Sequence, residues 1–229
     1  MPRFLSEIHR FLVNQMFYPL VLSSILALGI FLGRIYLSEN WYQYRNLVWN
    51  LFLAWLPYLF SFFAAILKRV FPRQWWMLII PGGLWLLFFP NAPYIVTDFL
   101  HLQHRPPVPL WYDIFLLASF SWTGIFLAIA SLRTMHMIVR DYLGWVIGWL
   151  FAGGALALSG LGIYLGRFDR WNSWDLLIHP KSILRDIAVR LANPTQNLRF
   201  FVFTILVTAF LVVCYLTFIS INKVSPVEE

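Results

Sequence analysis

The chain has 229 residues, of which 60% are hydrophobic and only 12% charged, and 17 basic against 10 acidic side chains give a formal net charge of +7. Soluble domains are about half apolar and about a quarter charged, so the composition excludes a soluble enzyme, a disordered chain and a nucleic-acid-binding module. The excess of Lys and Arg instead indicates membrane orientation and contact with anionic lipid headgroups.

Six apolar runs are long enough to cross a bilayer, which takes roughly 20 residues of helix. They cover residues 16–37, 46–67, 75–95, 111–132, 143–165 and 199–221. The sequence therefore predicts an all-α, polytopic membrane helix bundle that forms a single transmembrane domain over residues 1–229. Cys214 lies in the last run, where packing is its expected role.

Two shorter segments, residues 3–14 and 181–192, have apolar side chains at helical spacing with charged side chains between them. This pattern is typical of amphipathic helices that lie in the plane of the membrane surface. We expect one such helix before the first span and another before the last.

The third apolar run is irregular. Only 15 residues run from Trp75 to Phe89 before Pro90 ends the stretch. They give about 22 Å of helix, less than the ~30 Å hydrocarbon core. The Pro-Gly-Gly sequence at 81–83 is expected to interrupt even this stretch. The sequence predicts a broken third span, which is either a proline kink without a function or, as in transporters, part of a binding site.

The connection after Pro90 carries polar residues at helical spacing. Asn91 is expected to cap the helix that follows, since its side-chain oxygen can accept a hydrogen bond from a free backbone N–H. Tyr94, Asp98, His101 and Arg105 then follow at steps of four, three and four residues. This spacing places the four side chains on one face of a helix.

An acid and a histidine three residues apart can bind a divalent metal, share a proton or form an ion pair. Asp98 and His101 have this spacing, and Asp113 would supply a third ligand. These three residues are the candidate metal ligands, and together with Asp169 they are the candidate catalytic residues. The alternative is a set of caps and ion pairs that positions the connection. No cofactor is predicted beyond this metal alternative.

The connection after the fifth run holds a second polar group. Arg167 and Arg170 suit a phosphate, Asn172 and Asp175 are typical helix-capping residues, and Trp174 suits the membrane interface. The candidate ligand-binding residues of both connections are Asn91, Tyr94, Arg167, Arg170, Asn172, Trp174 and Asp175. With six spans the two connections are expected on the same side of the membrane.

Small residues recur along the fifth run at steps of three and four positions. This stripe consists of Gly144, Gly148, Ala152, Ala155, Ser159, Gly162 and Gly166. Such a stripe lets helix backbones approach closely in lipid, so it predicts helix packing.

The short connections predict the orientation of the chain. They carry eight Lys and Arg residues on the side of the N-terminus and three, Arg34, Arg45 and Arg105, on the other. Counting residues 166–199 removes this difference, unless that segment is a folded surface element. The positive-inside rule then predicts cytoplasmic N- and C-termini.

Two strings, FPNAPYIVTDFLHL (89–102) and GIYLGRFDRWNSWD (162–175), with WYD (111–113) between them, resemble an uncharacterised family of polytopic bacterial membrane proteins. This family is the domain of unknown function number thirteen sixty-one, and the resemblance covers most of the chain from the second run onward. It implies a bacterial cytoplasmic membrane location. It implies no reaction, ligand or catalytic residue.

Three functions fit these patterns. The favoured one is a structural or accessory membrane component, in which the polar cluster ties connections together. The alternatives are a membrane-embedded enzyme acting on a lipid or lipid-linked substrate, and a protein that binds or transports a small anion or headgroup. The near-balance of acidic and basic residues in the cluster suits all three. The expected partners are membrane lipids and, for an accessory subunit, other membrane proteins; nucleic acid is not expected.

Overall fold

The structure is a computed structural model that describes residues 3–223, with the side chains of residues 5–221. The chain termini, for which the sequence predicts a cytoplasmic location, lie outside these residues. The α-helices are α1 (Arg3–Asn14), α2 (Phe17–Ser38), α3 (Arg45–Val70), α4 (Ile79–Phe88), α5 (Asn91–Tyr94), α6 (Leu110–Leu143), α7 (Trp145–Phe168), α8 (Asp175–Ile178), α9 (Pro180–Ala192) and α10 (Leu198–Lys223). Two 3₁₀ helices, Trp75–Leu78 and Ile95–His101, flank α4 and α5.

Six stretches of the described chain are helical, long and apolar enough to cross a membrane. They are Phe17–Ser38, Arg45–Val70, Trp75–His101, Leu110–Leu143, Trp145–Phe168 and Leu198–Ile221. The predicted all-α membrane protein with six spans is thus confirmed. The fourth span continues to Leu143 instead of ending near residue 132, because the charged residues after 132 end the apolar run without ending the helix.

The third span is broken, as predicted, but its break lies at one place only. The Pro-Gly-Gly sequence at 81–83 does not interrupt the helix, because α4 runs through it from Ile79 to Phe88. Pro81 is tolerated there since it occupies the first turn, where a backbone N–H has no partner within the helix. The break follows Phe88, and α5 begins at Asn91 just after Pro90.

The contacts divide the chain into two compact units, Met1–Ile138 and Val139–Glu229. In the first unit, α3 packs against α4 and α5. Helix α6 approaches α5 so closely that a Cβ atom at Gly124 would overlap the backbone carbonyl oxygen of Ala92. A residue without a side chain is therefore required at position 124.

In the second unit, α7 packs against α10. The close approach occurs at Gly160, where a Cβ atom would lie 2.8 Å from the carbonyl oxygen of Thr204. Gly160 is not part of the predicted stripe. Four members of the stripe are buried in α7, namely Gly148, Ala152, Ala155 and Ser159, whereas Gly144 precedes the helix with a φ of 90°.

The two amphipathic helices have nearly the predicted bounds, as α1 and α9. Helix α9 begins with Pro180, whose fixed φ suits the first helical position. Its Ile183 is buried in an apolar cluster with Tyr164, Leu165 and Phe200, while Leu184 and Leu191 are exposed. The amphipathic helix before the last span is thus confirmed.

Candidate functional site

A buried ion pair joins α2 to the start of α6. The Nε atom of Arg34 donates to Oδ1 of Asp113 at 2.7 Å, and its Nη2 atom donates to Oδ2 at 3.3 Å. Both side chains are 0% exposed. The neighbouring Tyr112 donates its hydroxyl to the carbonyl oxygen of Ile30 at 2.9 Å. Both oxygens of the Asp113 carboxylate are therefore used in holding α6 against α2.

Tyr44, at the start of α3, completes this network. Its hydroxyl lies 3.5 Å from Oδ2 of Asp113, and the guanidinium groups of Arg34 and Arg105 lie 4.9 and 5.4 Å from its ring centroid. Burial raises the pKa of Tyr44 above its ordinary value, and the negative charge of Asp113 raises that pKa further. The two guanidinium groups act in the opposite direction. The protonated hydroxyl is thus favoured beside the carboxylate.

Asp98 is attached to α3. Asn50 donates from Nδ2 to Oδ2 of Asp98 at 2.8 Å, and only 5% of Asp98 is exposed. This bond joins the 3₁₀ helix Ile95–His101 to the second span. A buried carboxylate requires such a donor, because an unsatisfied charge inside the protein is costly.

The predicted single face of Tyr94, Asp98, His101 and Arg105 is not formed. Helix α5 ends at Tyr94, Asp98 and His101 lie in the 3₁₀ helix, and the chain is already extended at Leu102. Asp98 is buried whereas His101 is exposed. Arg105 lies beyond the helix, next to two prolines, and the residue before a proline avoids helical geometry.

Asn91 does not have its predicted capping role. It is the first residue of α5, Pro90 is the residue before it, and no side chain caps this helix. The side chain of Asn91 instead donates backward, from Nδ2 to the carbonyl oxygen of Phe88 at 3.0 Å. This bond satisfies one of the last carbonyl groups of α4, which have no hydrogen-bond partner within the helix.

The predicted metal ligands are not grouped. In residues 3–223, no set of three or more His, Cys, Asp or Glu side chains is placed to hold a metal ion. Asp113 uses both oxygens for Arg34, and Asp98 accepts from Asn50. A cation would have to displace the guanidinium group from Asp113, so the arrangement does not fit the predicted metal site.

In the second unit, Asp169 pairs with Arg190 of α9. The Nη1 atom of Arg190 lies 2.9 Å from Oδ2 and its Nη2 atom 3.0 Å from Oδ1, with both side chains 19% exposed. The same guanidinium group lies 5.6 Å from the ring centroids of Tyr164 and Phe200. The candidate catalytic residue Asp169 therefore attaches α9 to the end of α7.

The rest of the second polar group is a turn. Oδ2 of Asp175 accepts from the backbone N–H of Asn172 at 2.7 Å and from its Nδ2 atom at 3.2 Å. Trp174 and Arg170 are exposed, and Arg167 is half-buried. Asn172 and Asp175 do not have their predicted capping role, because α8 begins at Asp175 and no side chain caps this helix; the two residues instead bond to each other in the turn before it. The expected meeting of this group with Asp98 and His101 on one membrane face stays a prediction.

Sequence reasoning missed the partners of these acids, namely Arg34, Tyr44, Asn50 and Arg190. A signal for the first was present, because Arg34 and Asp113 lie inside apolar runs on the same side of a six-span topology. Ionisable residues within spans usually pair with one another. The combination predicts an ion pair at this position.

One protein family, described as a protein of unknown function (DUF1361), has a sequence model that matches residues 49–214. The match covers more than half of the chain and includes Asp98, Asp113, Asp169 and Asp175. Arg34 and Tyr44 precede the matched range. No curated protein and no solved structure matches the chain.

Proposed function

The chain belongs to the DUF1361 family of proteins of unknown function, and we propose that this multi-pass membrane protein is a structural or accessory membrane component. One observation carries this proposal: the candidate catalytic acids are bonded to side chains of their own unit. Asp113 pairs with Arg34, Asp98 accepts from Asn50, and Asp169 pairs with Arg190.

A catalytic carboxylate must come within hydrogen-bond reach of a substrate. Asp113 has no exposed surface, and both of its oxygens accept from Arg34. Asp98 is nearly as buried. These contacts support positioning roles for the two acids and speak against an enzyme or an anion transporter that uses them.

The outer surface of the helices supports lipids and other membrane proteins as partners. Trp122 in α6 is 61% exposed and Leu150 in α7 is 69% exposed, although both lie within candidate spans. Large apolar side chains that face outward in a span are solvated by lipid tails or covered by another protein.

The proposed location is the bacterial cytoplasmic membrane, with cytoplasmic N- and C-termini. Segment 166–199 contains α8 and α9, which supports treating it as a folded surface element and leaves the short connections to decide the orientation. Single cysteines would test this in a Cys214→Ser background. We expect an impermeant maleimide to label Asn40→Cys but not Arg73→Cys in intact cells, and the reverse pattern would contradict this orientation.

Unfolding measurements on Asp98→Asn, Asp113→Asn and Asp169→Asn in detergent test the structural role. Residues of active sites are often held at a cost in stability, so replacing them leaves the protein equally or more stable. Replacing residues of a structural network instead lowers the stability of the protein. We expect the free energy of unfolding of each variant to be lower than that of the wild type by about 1 kcal/mol or more.

Glu39→Gln serves as the matched control, since Glu39 is exposed at the end of α2. We expect it to unfold like the wild type. An Asp98 or Asp113 variant at least as stable as the wild type would contradict the structural role. It would favour the enzyme or the anion-binding protein instead.

A further inference from the structure

A groove of about 420 Å³ is lined by residues of α2, of α3 and of the connection between them. Its apolar walls are Phe31, Trp41, Val48, Trp49 and Phe52, and Arg45 also lines it. Pockets of roughly 300–1,000 Å³ are typical of small-molecule sites. The groove therefore has room for part of one amphiphilic molecule.

The chemistry of the groove changes along α3. Arg45 is the first residue of this helix, and Phe52 lies seven residues further on, which is roughly 10 Å along the axis. Trp41 and Trp49 are 54% and 55% exposed. Tryptophan is enriched at the membrane–water interface, so we expect the groove to extend from headgroup level into the hydrocarbon region.

Arg45 differs from Arg34 in having a free charge. Its guanidinium group lies 5.4 Å from the ring centroid of Tyr42, and no carboxylate of the described residues pairs with it. Arg45 is also exposed. A guanidinium group held beside an apolar groove is suited to a phosphate, which it can bind with two parallel hydrogen bonds.

We propose that this groove binds one anionic phospholipid, with part of an acyl chain against the aromatic walls and the phosphate on Arg45. A free small anion would leave the apolar walls unused. A symmetric dimer formed over the groove would bring both copies of Arg45 into one interface, which is unfavourable. An anionic lipid provides both a negative charge for Arg45 and an acyl chain for the apolar walls.

Native mass spectrometry of the full chain in detergent tests this site. The probes are phosphatidylglycerol and phosphatidylcholine with the same acyl chains. We expect one phosphatidylglycerol to be retained about 10-fold more tightly than phosphatidylcholine, which corresponds to about 1.4 kcal/mol. Arg45→Gln should reduce phosphatidylglycerol binding to the level of phosphatidylcholine. Val48→Trp, which fills the groove, should weaken both lipids.

Arg73→Gln is the matched control, because it removes the same charge from an exposed residue beyond the other end of α3. We expect it to retain the lipid preference. If Arg45→Gln and Arg73→Gln weaken phosphatidylglycerol binding equally, the site is overturned, because the lipid is then attracted only by the overall positive charge of the protein. Unchanged lipid binding in Val48→Trp would also overturn it, and a dimer lost in that variant would assign the groove to a second copy of the chain. Arg45→Gln changes an exposed side chain and should fold normally. It therefore tests whether the preference for the anionic lipid depends on Arg45, even if Val48→Trp folds poorly.

Discussion

Two acid–arginine pairs of similar geometry occur in different surroundings. The Arg34–Asp113 pair has an N–O distance of 2.7 Å, is 0% exposed and joins residues 79 positions apart. The Arg190–Asp169 pair has a distance of 2.9 Å, is 19% exposed and joins residues 21 positions apart. The first connects two spans, while the second attaches an amphipathic helix to the end of a span.

Burial, more than geometry, is expected to decide how much each pair contributes to stability. Removing one partner of a fully buried pair leaves a charge without water or a counter-ion, which is strongly destabilising. Water can reach part of a pair that is 19% exposed, so its loss should cost less than that of a fully buried pair. We therefore expect the loss of one partner to cost more stability at the Arg34–Asp113 pair than at the Arg190–Asp169 pair.

The largest effect is expected from Arg34→Met. It leaves the carboxylate of Asp113 buried and without its guanidinium partner, so the free energy of unfolding should fall by about 3–5 kcal/mol. Denaturant unfolding in detergent micelles measures this. If the free energy of unfolding fell by less than about 1 kcal/mol, the buried Arg34–Asp113 pair would contribute no more than the partly exposed Arg190–Asp169 pair is expected to contribute.

A smaller effect is expected from Gly160→Ala, which tests whether close helix packing supports the second unit. The new Cβ atom would lie 2.8 Å from the backbone carbonyl oxygen of Thr204, and α7 and α10 would have to separate. Overpacking of this kind costs about 1–3 kcal/mol. Gly153→Ala is the control, because nothing lies within 4 Å of a Cβ atom there. Equal stabilities of the two variants would show that the helices do not meet at Gly160.

Arg190→Met should have a still smaller effect, of about 1 kcal/mol. Asp169 is 19% exposed whereas Asp113 is 0% exposed, so we expect water to compensate more of the lost interaction at Asp169. The loss should shrink further at high salt, because screening already weakens the wild-type pair. An effect as large as that of Arg34→Met would contradict the role given to burial.

The smallest effect concerns pH and Tyr44. The pKa of Tyr44 is raised in the folded protein, so its contribution to stability is complete below the unfolded value of about 10 and is lost as the pH rises through the folded pKa. Unfolding curves at increasing alkaline pH should show a smaller decline for Tyr44→Phe than for the wild type. Tyr42→Phe, at an exposed residue, should decline like the wild type. Identical curves for all three proteins would contradict the raised pKa.

The spans and the amphipathic helices could be predicted because their signals are local. Apolar length and helical spacing are read from neighbouring residues, and α1 and α9 accordingly have nearly the predicted bounds. The predicted interruption at 81–83 was wrong because the penalty of a proline depends on its position in the helix. The predicted face from Tyr94 to Arg105 was wrong because an α-helical period was applied to a 3₁₀ helix and an extended segment.

The candidate site was less predictable because its contacts are distant in sequence. Asp98 and Asp113 were identified as unusual acids, but Asn50 and Arg34 lie 48 and 79 positions away from them. Neighbouring residues do not indicate those partners, and only the six-span topology gives a signal for one of them, Arg34. Without them, a reactive acid and a paired acid have the same appearance in the sequence.

A double-mutant cycle between Arg34 and Asp113 tests the structural role most directly. The free energies of unfolding of Arg34→Met, Asp113→Leu and the double variant are compared with that of the wild type in detergent. We predict that the double variant loses less than the sum of the single losses, with a coupling of about 3 kcal/mol. Additive losses would contradict this structural role, because Arg34 and Asp113 would then not stabilise the first unit through their interaction.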